Sequence, residues 1–76
     1  MNNTRRKALR EIAEQIESLR DELESLRDEE DEYRDNMPEN MQTGERYEQS
    51  EEASSNMEDA INSIEEVLSY IEEATA

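Results

Sequence analysis

The chain has 76 residues with no Cys, His, Trp or Phe, and its 23 acidic and 8 basic residues leave a formal net charge of −15. That length makes one small domain. The missing Cys excludes disulfides and thiolate chemistry, and the acidity argues against direct contact with nucleic acid or with anionic membranes, both of which need Lys and Arg.

The N-terminal basic residues Arg5, Arg6, Lys7 and Arg10 are not followed by the apolar core of a signal peptide. The first predicted element is a helix over about residues 4–36, capped by Asn3 or Thr4. Its stripe is Leu9, Ile12, Ile16, Leu19, Leu23 and Leu26, then Glu30, Tyr33 and Met37. The steps alternate three and four without a break, as in a coiled coil. Pro38 ends this helix, because it lacks an N–H and disfavours helical backbone in the residue before it. Residues 37–43 form the connection, with room for a short turn over 38–42.

Thr43 is the expected cap of a second helix over about 44–73. Its stripe is Tyr47, Ser50, Ser54, Met57, Ile61, Ile64, Leu68 and Ile71. The two stripes are mirror images. Leu9 with Ile71, Ile12 with Leu68, Ile16 with Ile64, Leu19 with Ile61, Leu23 with Met57 and Tyr33 with Tyr47 each sum to 80. Facing positions of antiparallel helices behave in this way, so the fold class is all-α, a two-helix coiled-coil hairpin turning at residue 40 between Pro38 and Gly44. No apolar run approaches the roughly 20 residues that cross a bilayer, and no membrane association is expected.

With Leu9 as heptad position a, the e positions of the first helix are Arg6, Ala13, Arg20, Arg27 and Arg34, and those of the second are Glu51, Glu58, Glu65 and Glu72. Position e faces e in an antiparallel pair. Arg6 is therefore expected to meet Glu72, Arg20 to meet Glu58, and Arg27 to meet Glu51. Such exposed pairs contribute about 0.2–1 kcal/mol and mainly fix register. The opposite flank carries Ala8, Ala53, Ala60, Val67 and Ala74, and a lone hairpin leaves it wet. The expectation is a homodimer through these residues that closes a four-helix bundle. Near the loop the core positions are Glu30, Ser50 and Ser54, which predicts a half that is looser, wetter or closed by a partner.

Acidic residues gather in the loop half. Residues 21–52 hold 14 acids and 3 bases, whereas residues 1–20 hold 5 bases and 3 acids. Rows of carboxylates on a rigid rod resemble the phosphates of a nucleic acid and are complementary to a basic protein surface. They also keep a rod soluble without any partner. The residues expected to carry partner binding are Asp28, Glu29, Asp31, Glu32, Asp35, Glu48, Glu51 and Glu52. A di-iron site is not expected without His, and residues 28–39 lack the glycine of a calcium loop. Without Cys or His there is no candidate nucleophile or general base, so neither catalysis nor a cofactor is expected. Met37 and Met41 at the loop read as local packing, or as an adaptable contact surface.

The linker Asn36-Met37-Pro38-Glu39-Asn40-Met41-Gln42, the following Glu45-Arg46-Tyr47-Glu48, and the later Met57-Glu58-Asp59-Ala60-Ile61 and Ile64-Glu65-Glu66 together resemble small acidic helical proteins of phages and mobile elements of Gram-positive gut bacteria. The resemblance implies an origin in a bacterial host, where a cytoplasmic location is the default expectation for a chain with neither signal peptide nor membrane span. It also implies a role among inhibitors of nucleic-acid enzymes, such as anti-CRISPR or anti-restriction proteins that mimic DNA. The expected function is thus a non-enzymatic acidic protein that occupies a basic nucleic-acid-binding surface of a protein partner. The alternative is a structural or adaptor coiled coil that dimerises or recruits another helix through the flank around Ala60 and Val67, with the charge serving solubility.

Overall fold

The computed structural model describes all 76 residues, Met1–Ala76. Helix α1 spans Asn3–Asp35, a single 3-10 turn spans Glu39–Met41, and helix α2 spans Glu45–Thr75. The two helices pack antiparallel into a rod of 59 × 15 × 12 Å. Neither is long and apolar enough to cross a membrane.

The cap of α1 is Asn2, one residue before the predicted candidates; its side-chain oxygen accepts from the Arg5 N–H at 2.8 Å. At the far end the Asn36 N–H donates to the Glu32 carbonyl at 3.0 Å and the Met37 N–H to that of Arg34 at 3.1 Å. The Pro38 carbonyl then accepts from Met41 at 2.8 Å, which forms the anticipated short turn. Gly44, not Thr43, caps α2, with no side-chain bond. A β-carbon at position 44 would lie 3.3 Å from the Met41 carbonyl, so glycine lets the turn press against the helix start. Glu45 and Glu48 in the first turn of α2 complement the positive end of its dipole.

Helix α2 presents the predicted stripe to its partner: Tyr47, Ser50, Ser54, Met57, Ile61, Ile64, Leu68 and Ile71 are all buried or half-buried. Helix α1 is turned relative to expectation. It places Leu9, Ile16, Leu23 and Glu30 in the seam, with Met37 buried just beyond its end, but alternates them with Arg6, Ala13, Arg20, Arg27 and Arg34. Ile12, Leu19, Leu26 and Tyr33 are left about half exposed, Leu19 at 59%. The expected pairings of Ile12 with Leu68, Leu19 with Ile61 and Tyr33 with Tyr47 are therefore not made across a shared core. Centring positions a and e instead of a and d needs a rotation of roughly 50°, half the angle between successive residues. Arginine tolerates the seam because its methylene stem packs against apolar neighbours while its charged head reaches the rim.

This rotation also rearranges the ion pairs. Arg27 bonds Glu58 at 2.6 Å, one heptad away from the expected Glu51. Arg20 reaches only its neighbour Asp21, at 3.4 Å, and its Nε is enclosed without a partner. Arg6 bonds Asn3 at 3.1 Å instead of Glu72. The expected ladder becomes a single cross-helix ion pair. The loop half, expected to be looser, wetter or closed by a partner, holds Met37, Ser50 and Ser54, three of the five buried residues.

Candidate protein-interaction surfaces

Three features organise the rod. The first is a polar clamp inside the loop half. The Arg34 Nη1 donates to the Ser54 hydroxyl at 2.8 Å and to the Ser50 carbonyl at 3.2 Å, while Nη2 donates to Asp31 at 2.9 Å. The Ser54 hydroxyl in turn donates to Asp31 at 2.7 Å, and that of Ser50 to Glu30 at 2.6 Å. Small serines on α2 leave space for the guanidinium, and every polar group brought into the seam there finds a partner. Hydrogen bonds from the Ser54 hydroxyl and then from the Arg34 guanidinium hold the Asp31 carboxyl below its usual range. Asp31 in return holds the Arg34 guanidinium more firmly protonated. The hydrogen bonds that Arg27 donates to Glu58 and Asp28 do the same for its guanidinium.

The second feature is an apolar flank. Tyr33, Arg46 and Gln49 line one shallow depression, which places position 33 of α1 beside position 46 of α2 on the same side of the rod. Steps of seven from Tyr33 lead to Leu26, Leu19 and Ile12; steps of seven from Arg46 lead to Ala53, Ala60, Val67 and Ala74. Heptad spacing keeps each row on one side of its helix. Outside the α2 row lie Gln49, Asn56, Ser63 and Tyr70, all neutral. Outside the α1 row lie Ala8, Gln15, Glu22 and Glu29. Of these seventeen flank positions only Glu22, Glu29 and Arg46 are charged, in a chain where 41% of residues are. The residues expected at a dimer contact all lie on this flank: Ala53 is half-buried, and Ala8, Ala60, Val67 and Ala74 are exposed. Sequence reasoning placed the large row, Ile12 to Tyr33, in the core rather than here.

The third feature is the acidic exterior of the loop half. Glu29, Glu32, Asp35, Glu48, Glu51 and Glu52 are exposed, as is Asp28 beside Arg27. Asp31 is different from the rest of that group, because it faces the seam and is committed to the clamp. Arg27 and Arg34 are likewise turned inward, so Arg46 is the one exposed base of residues 21–52.

The opposite side of the rod carries a shallow groove between Ala13, Arg20, Leu68 and Glu72. No three carboxylates converge in a way that would hold a metal ion. No protein-family model matches this chain, and no curated protein or solved structure is significantly similar to it.

The clamp gives a pH signature. A carboxyl whose folded pKa is depressed stabilises the fold above its unfolded value, here 3.8, and that contribution is lost as pH falls through the lowered folded value. Asp31→Asn is expected to lower the thermal midpoint at pH 7. The difference from the parent chain should shrink below pH 3.8 and vanish at lower pH, as followed by circular dichroism. A difference that stays constant down to pH 2, an order-of-magnitude endpoint well below both values, would contradict the assignment.

Proposed function

We propose that this protein is a non-enzymatic helical interaction module whose apolar flank is covered by other helices in its working state. The observation that supports this reading is the inversion in α1. Four arginines occupy its seam, while an unbroken heptad row of Ile12, Leu19, Leu26 and Tyr33 faces outward. Contiguous apolar rows of this kind mark interaction sites on small proteins, particularly when framed by neutral polar residues. The absence of His and Cys from the chain fits a role in binding rather than in proton transfer or nucleophilic chemistry.

A native chain without cysteine allows a clean footprint. Leu19→Cys lies on the flank, and Ser25→Cys lies on the far side of the same helix. In an extract of cells that carry the protein, maleimide should modify Leu19→Cys about tenfold or more slowly than Ser25→Cys, as a flank covered most of the time requires. Equal rates at both positions would defeat the proposal.

A second reading concerns the acidic exterior, and the inward turn of Arg27 and Arg34 favours it. Folding removes two of the three bases of residues 21–52 from the outer surface and leaves a nearly uniform field of carboxylates. We infer a basic protein surface as its counterpart. The resemblance of the linker to small acidic phage proteins points to a nucleic-acid-processing enzyme of a bacterial host, with the rod acting as a nucleic-acid mimic. Reversing Glu29, Glu32, Asp35 and Glu48 to Lys should leave helicity intact and abolish retention of such a partner. The parent complex should weaken between about 50 and 500 mM salt. Retention that survives both changes would remove this reading.

A further inference from the structure

We infer that the occupant of the apolar flank is a second copy of this chain, laid face to face with both loops at the same end of the assembly; this rests on the reading that the flank is covered. The flank contains both halves of its own complement. One central row is large (Ile12, Leu19, Leu26), and the row beside it is smaller (Ala53, Ala60, Val67, Ala74). A half-turn about an axis along the rods sets the large row of each copy onto the small row of the other, and facing large and small side chains interdigitate. The same half-turn lays the rim that holds Glu22 and Glu29 against the neutral rim of Gln49, Asn56 and Ser63. No like charges then face each other within the contact. An inverted arrangement, with the loops at opposite ends, lays α1 on α1 and brings the Glu22 rim against itself.

The register agrees with this arrangement. Inside one hairpin Asp31 meets Ser54 and Arg27 meets Glu58, so both pairs sum to 85. A two-fold axis along the rods allows no sliding between copies, and therefore Leu19 of one copy lies beside Val67 of the other, and Leu26 beside Ala60. Tyr33 lies beside Ala53 of the second copy by the same register. The row from Ile12 to Tyr33 runs about 32 Å, and two helices give a width of about 20 Å, a footprint of roughly 640 Å² per copy before the rim is added. A standard stable interface takes about 800 Å² from each partner, so the flank with its rim is of the right size for this contact. The acidic loop halves lie side by side in this dimer, and added salt should tighten it by screening them.

The test uses the purified full chain. Light scattering at micromolar concentration should give twice the 8.9 kDa of the chain, and Val67→Arg should return the mass to one chain. If Val67→Arg also loses helicity, the parent melting midpoint should rise with protein concentration, as mass action requires. Spin labels on Asn40→Cys should lie within about 30 Å of each other, since packed helices are about 10 Å apart. Labels separated by a distance near the 59 Å length of the rod would overturn the proposed arrangement. A monomeric parent mass, with Leu19→Cys protected in extract, would overturn the second copy and leave the docking flank standing. A monomeric mass with Leu19→Cys freely reactive would overturn both.

Discussion

The guanidinium of Arg34 decides which way α1 faces. It enters the seam opposite two serines, spans Asp31, Ser50 and Ser54 with hydrogen bonds, and keeps position e rather than position d against α2. Once that end is set, helical geometry carries the same choice along the whole rod. Arg27, Arg20 and Arg6 follow into the seam at seven- and fourteen-residue intervals, and Tyr33, Leu26, Leu19 and Ile12 are carried out of it. A single polar contact near the loop thus determines what the surface of the whole molecule looks like.

The outcome runs against the hydrophobic preference of the isolated chain. Half-exposed leucines cost stability, and so does an enclosed Arg20 Nε with no partner. A chain of this size has little margin for such costs. They become intelligible when the flank is regarded as one side of a larger core. Ile61, with 3% of its surface exposed, anchors the hairpin's own seam, while the Ile12–Tyr33 row faces outward. The charge distribution follows the same division: the arginines at heptad position e turn inward, most carboxylates turn to solvent, and the flank carries few charges.

Much of the architecture was legible in the sequence. The unbroken three-four spacing on both sides of Pro38 is enough to read two helices and a hairpin, and the α2 stripe is occupied as expected. The rotation of α1 was not legible from hydrophobicity, because Ile12, Leu19 and Leu26 are as apolar as Leu9, Ile16 and Leu23, and an apolar stripe does not say which of its edges faces inward. The signal that bears on it is polar. Two serines at core positions 50 and 54 leave a gap that only a long donor can fill, and Arg34 is the arginine at that level. The neutral row Gln49, Asn56, Ser63 and Tyr70 likewise marks the flank in a chain otherwise crowded with charge. The exchange of Glu51 for Glu58 as the partner of Arg27 follows from the same rotation, and spacing alone does not reveal it.

The orientation of α1 is the claim on which the flank, the clamp and the inward arginines all depend. Methyl NMR on the Val67→Arg chain with a soluble paramagnetic agent tests it most directly, because that variant keeps the flank open. The account predicts strong broadening of the Leu19 and Leu26 methyls and protection of those of Leu9 and Leu23. Protection of all four leucines alike, or broadening of Leu9 and Leu23 instead, would contradict it.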